Sequence, residues 1–115
     1  MFLIPVLDVP AAPGNLIRQY SNKSSITITW DAPKITGHHR IIDYYIEIES
    51  SADFRTAVNY TKRGVIGTSE KFEHRFYHLQ ANTKYTVHVS AFNLLGRGAA
   101  ATVKCQTVLY IRKGW

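Results

Sequence analysis

An all-β fold, a seven-stranded antiparallel β-sandwich, is what the 115-residue sequence predicts. Three observations carry that prediction. Apolar and polar residues alternate with a period of two over several separate stretches. Gly, Pro, Asn and Asp punctuate the chain between them. No segment repeats apolar residues at i, i+3, i+4 and i+7 for long enough to form a helix.

The elements follow in order. Met1 to Leu7 is apolar, but Pro5 interrupts it and no basic residue precedes it, so it does not read as a signal peptide. Residues 1–9 read as a linker or chain end, with an added edge strand as the alternative. Pro10, Pro13 and Gly14 mark an extended lead into one domain over residues 10–108, and residues 109–115 read as a C-terminal linker. A weak strand falls near residues 15–19. Residues 25–30 alternate cleanly, with Ile26, Ile28 and Trp30 on one face and Ser25, Thr27 and Thr29 on the other; Asp31-Ala32-Pro33 stops them. Residues 41–49 turn Tyr44, Ile46 and Ile48 inward and Glu47 and Glu49 outward. A second weak strand falls near residues 56–60. Residues 71–78 place Phe72, His74 and Phe76 on one face. Residues 83–92 turn Tyr85, Val87, Val89 and Ala91 inward and Lys84, Thr86, His88 and Ser90 outward. Ala101, Val103 and Cys105 line the last strand. Outward Glu47 and Glu49 would neighbour Lys84 and His88, a solvated face with modest ion pairs.

Composition narrows the chemistry. Apolar residues make up 45% of the chain, enough for one core. One cysteine excludes an internal disulfide framework and a multi-cysteine zinc site. Fourteen Lys and Arg against eight Asp and Glu leave a net charge of +6, which favours an acidic partner. No apolar run approaches the roughly 18 residues of a membrane span.

No enzyme motif emerges. His74 and His78 have helical metal spacing, but on a strand they stand about 13 Å apart and cannot share an ion. His38-His39 reads as a solvated loop. Gly64-Val65-Ile66-Gly67 has the spacing of a nucleic-acid clamp without the helices that clamp requires. Cys105 has the inward parity of a small buried residue rather than of a reactive thiol. No paired carboxylates, nucleophile elbow or phosphate loop is present. No metal, cofactor or catalytic residue is expected.

Residues 79–93 are the most specific stretch: Leu79, a short polar turn, Thr83-x-Tyr85, then alternating apolar residues to Asn93. With Trp30 before Asp31-Ala32-Pro33, and Pro10-x-x-Pro13 before Leu16, this resembles a fibronectin type III domain, with immunoglobulin-like topology. Immunoglobulin domains themselves place Trp between two bridging cysteines, and Val87 stands where the second would be. The resemblance implies that Tyr85 is the tyrosine corner, bonded near Leu79, and that Trp30 is buried beside it. It implies a non-catalytic interaction and spacer module of a cell-surface adhesion or receptor protein. The alternatives are an intracellular muscle-type module and an accessory domain of a secreted glycan-active enzyme. Gly96-Arg97-Gly98 is not an integrin-type Arg-Gly-Asp.

Two sequons, Asn22-Lys23-Ser24 and Asn59-Tyr60-Thr61, are candidate glycosylation sites and favour an extracellular glycoprotein. Leu94, Leu95 and Arg97, in a loop at one end of the sandwich, are candidate partner contacts, with Lys62 and Arg63. Lys62, Arg63, Lys71, Arg75, Lys84 and Lys104 form a candidate cluster for a sulfated glycan or acidic partner. The expected partners are a protein or adjoining domains. No nucleic acid is expected, because no aromatic stacking platform accompanies the charge. A membrane would be met only through the parent protein.

Overall fold

Alternation becomes two layers once each apolar face finds its opposite. The computed structural model describes residues 8–50, 60–62 and 71–109. Its strands are β1 (Gly14–Ser21), β2 (Ile26–Asp31), β3 (Asp43–Ser50), β4 (Tyr60–Lys62), β5 (Lys71–Phe76), β6 (Lys84–Asn93) and β7 (Gly96–Gln106). They form a sheet ordered β1-β2-β5 and a second ordered β4-β3-β6-β7. All pairs are antiparallel. No helix occurs among the described residues.

Ile26, Ile28, Trp30 and Phe76 face Tyr44, Ile46, Ile48, Tyr85, Val87 and Val89, and all are essentially inaccessible. Burying each such side chain contributes about 1.5–3 kcal/mol before the entropy of ordering is subtracted. Trp30 packs edge-on to Tyr44 at 5.6 Å and stacks with Phe72 at 5.8 Å. Tyr85 is buried as well, but not beside Trp30. Leu79 N–H donates to Ser24 carbonyl, and Ser50 lies opposite Tyr85. Tyr85 is therefore at the start of β2, and Trp30, about 13 Å further along that strand, is at the other end. The two rings close opposite ends of one core.

The outer face of β2 differs from the alternation reading. Ser25, Thr27 and Thr29 are buried. β2 is the central strand of its sheet, and Thr27 lies between Tyr20 and Arg75, whose guanidinium sits 5.8 Å from the Tyr20 ring. Long neighbours cover short hydroxyls.

Candidate functional site

The two poles of the sandwich are built differently, and the N-terminal pole gathers three of the candidate contact residues. Asn93 ends β6 on its inward parity and is buried. Its Nδ2 donates to Asp8 carbonyl at 2.6 Å and Thr36 carbonyl at 2.8 Å, while its Oδ1 accepts from Leu95 N–H at 2.8 Å. One side chain thus ties the N-terminal segment, the β2–β3 loop and the β6–β7 hairpin together. Glycines make room for this. A Cβ on Gly37 would stand 1.9 Å from Asp8 carbonyl oxygen, at a φ of +77° that disfavours any other residue, and a Cβ on Gly98 would stand 1.8 Å from that of Pro10. Asp8, inside the span that the sequence assigns to a linker, is therefore part of the packed body. His38 Nε2 lies 3.9 Å from the Asp8 carboxylate.

This frame presents Leu94 and Leu95 as the two-residue tip between paired Asn93 and Gly96. Leu94 is 68% exposed, Leu95 46% and Ile35, in the neighbouring loop, 68%. Neither leucine folds over the core. Arg97 lies across the outer face of the second sheet, its guanidinium 4.7 Å above the Tyr45 ring. Three of the candidate contact residues, Leu94, Leu95 and Arg97, therefore share one hairpin. Lys62 enters the structure as backbone opposite Ile46; its side chain, Arg63 and Asn59 lie outside the described residues. The sequence reading missed Asn93, although its parity was the available signal: an inward polar residue must find partners.

The C-terminal pole is closed by hydrogen bonds. Gln80 N–H donates to the Tyr85 hydroxyl at 2.9 Å. The corner is thus made by an amide donating to the phenol, one residue beyond Leu79. Thr107 Oγ1 donates to Gln80 carbonyl at 2.5 Å and accepts from Thr83 N–H at 3.0 Å. Val108 N–H donates to Asn22 carbonyl, and Asn82 N–H to Val108 carbonyl. The Asn22 side-chain oxygen accepts from Ser24 and Ser25 amides at 2.9 and 2.8 Å, an Asx turn joining β1 to β2.

The six-residue basic cluster does not assemble as expected. Lys71 and Arg75 lie on the first sheet, where Lys71 pairs with Asp31 at 3.0 Å, while Lys84 and Lys104 lie on the second. Asn15 and Lys71, in that order, hold the Asp31 carboxyl below its ordinary range. Burial pushes the Tyr44 hydroxyl up to about 12 and raises the Cys105 thiol. Among the described residues no three His, Cys, Asp or Glu stand where they could hold a metal ion. His74 is buried against Phe76 and His78 is exposed at the turn after β5.

Comparison with known proteins gives four consistent results. The family model for the fibronectin type III domain matches residues 11–106. A Caenorhabditis elegans protein, tyrosine-protein phosphatase Lar-like, is 28% identical over 94 residues, covering 79% of this chain and 4% of that protein. The chain therefore spans only a small fraction of this relative's length. A human FNIII domain solved in solution superposes with a TM-score of 0.70 at 22% identity, covering 98% of this chain and 90% of that one. The twitchin kinase region from C. elegans superposes with a TM-score of 0.71 at 16% identity, covering 92% of this chain and 18% of that one. At these identities the two structures speak for the fold.

Proposed function

The chain belongs to the fibronectin type III family, and from that premise we propose that it is a non-catalytic recognition and spacer module of a larger cell-surface adhesion or receptor protein. The carrying observation is the Leu94-Leu95 tip, exposed yet rigidly founded on buried Asn93. Covering two leucines with a partner regains about 1.5–3 kcal/mol for each one fully buried. With Ile35 they make an apolar end beside the N-terminal segment, suited to an adjoining domain or a separate protein. Arg97, over the Tyr45 ring, adds a cation at the rim.

Similarity to the phosphatase-named relative and the two sequons support the cell-surface part of this reading. Asn22 and Asn59 would carry the glycans. No helix among the described residues is long and apolar enough to cross a membrane, and attachment would come through the parent protein.

The test is site-specific crosslinking in the native parent protein. A photoreactive residue at position 94 should crosslink to an adjoining domain or a different protein, while one at Glu73, exposed in mid-strand on the outer face of the first sheet, should not. Equal yields from both positions would defeat the contact assignment. Glycosidase-sensitive mass at Asn22 or Asn59 in native material tests location; bare asparagines at both would favour the intracellular alternative.

A further inference from the structure

The outer face of the first sheet carries two rows of side chains set by register. Ile17, Thr29 and Glu73 lie side by side in one row, and Tyr20, Thr27 and Arg75 in the next. The threonines in the middle are buried, while Ile17, Tyr20, Glu73 and Arg75 are exposed around them. The Arg75 guanidinium is held between two rings, 5.8 Å from that of Tyr20 and 5.5 Å from that of exposed Tyr77. Among the described residues neither Glu73 nor Arg75 forms an ion pair. Tyrosine, arginine and an aliphatic side chain on one face are the composition of a protein interface.

We propose that this face binds a second copy of the same chain, about a two-fold axis that crosses β5 at His74. Glu73 and Arg75 stand about 7 Å apart along the strand, on either side of that axis. A two-fold that lies in the plane of contact and runs across the strands exchanges the two rows. Each Arg75 then meets the other copy's Glu73, and each Tyr20 meets the other copy's Ile17. Sheets pack face to face about 10 Å apart, a gap that an arginine and a glutamate span together. One operation thus pairs both charges and both apolar residues, as a self-complementary contact requires. Charge favours this occupant. The chain is +6 overall, but this face is balanced: Lys71 is tied to Asp31, and Glu73 offsets Arg75. It neither draws a polyanion nor repels its own copy. The face measures about 20 Å by 14 Å, small for a stable dimer, so a single pair binds weakly and gains strength where parent proteins are crowded or arrayed. The contact lies away from Leu94 and Leu95 and is independent of the reading given to them. It joins copies of identical sequence, which tells its crosslinks from those of position 94.

The experiment uses the whole 115-residue chain from bacteria. Sedimentation equilibrium and amide NMR shifts are followed from about 10 μM to about 1 mM. Wild type should self-associate, moving the amides of Ile17, Tyr20, Glu73 and Arg75 and leaving those of Leu94 and Leu95 still. R75E alone and E73R alone each set like charges face to face and should associate about tenfold or more weakly. An equimolar mixture of the two should associate, because each supplies the charge that the other lacks. The double exchange E73R/R75E should pair with itself as wild type does. Tyr20→Ser leaves both charges in place and should also weaken association; it serves if a charge variant does not fold. A wild type that stays monomeric at 1 mM, single variants that associate like wild type, a mixture no stronger than its components, or shifts confined to Leu94 and Leu95 would each overturn the contact.

Discussion

Replacing Asn93 isolates the joint on which the N-terminal pole is built. Asn93→Ala removes three hydrogen bonds, to Asp8, Thr36 and Leu95. At about 1 kcal/mol each, with the stranded buried carbonyls added, the loss is about 3–4 kcal/mol. That is a large share of the roughly 5–15 kcal/mol that holds a domain together, and lowers the melting temperature by about 15 °C or more. Asn93→Asp is the sharper probe because its shape is unchanged. The atom facing two carbonyl oxygens becomes an oxygen, and a carboxylate there is repelled by both. The variant carboxyl must therefore take up a proton in the folded state more readily than in the unfolded chain. Its folded pKa is raised, so its stability is greatest at low pH and falls as pH rises through that value. Urea titrations followed by tryptophan fluorescence, referenced to wild type at each pH, measure this directly. At pH 7 Asn93→Asp should be less stable than Asn93→Ala, and the order should narrow or reverse on acidification. If Asn93→Ala costs less than about 1 kcal/mol, or if the aspartate variant ignores pH, the joint is not what holds the pole.

Four further outcomes follow from the same geometry. Tyr85→Phe strands the Gln80 amide and should cost about 1–2 kcal/mol with no change in denaturant m-value; a neutral result in urea titration would remove the corner from the account of stability. Gly98→Ala drives a methyl into Pro10 carbonyl, so the Ala11 amide, bonded to Ile35 carbonyl at 2.9 Å, should lose hydrogen-exchange protection while the Val87 and Val89 amides keep theirs; uniform loss or none would contradict the packing. The Asp31 carboxyl is lowered by Asn15 and Lys71, so its contribution is present above the ordinary carboxylate pKa and is lost as pH falls through the lowered one. Asp31→Asn should flatten the acid limb of the stability curve, and an unchanged slope would refute the assignment. Cys105, buried and raised, should react with iodoacetamide only as fast as the protein opens, and rapid labelling under native conditions would show it accessible.

Much of the fold was legible because burial in a sandwich is written with a period of two. β2 and β6 appear in the structure within a residue or two of their alternation, since each has an unbroken apolar face. β7 begins five residues before Ala101, at Gly96, because Gly-Arg-Gly-Ala-Ala offers no contrast between faces. Burial of Thr27 and Thr29 was not legible, for it depends on which long side chains stand on neighbouring strands. The leucine tip could be read as a loop, but its foundation could not: Asn93 meets Asp8 across 85 positions. The basic residues were visible one by one, yet composition cannot tell which sheet each joins. Lys71 and Arg75 joined the first sheet, while Lys84 and Lys104 joined the second.

The placement of the two chain ends also has a mechanical meaning. The N-terminal segment is fastened beside Asn93, the C-terminal one beside Thr107, and both β1 and β7 run from the first pole towards the second. A tug applied to the ends therefore slides these strands lengthwise against β2 and β6, so that many rungs of each ladder share the load instead of parting one at a time. The molecule is arranged to carry tension along its long direction, as a link must if whatever lies on either side of it is to stay a fixed distance apart.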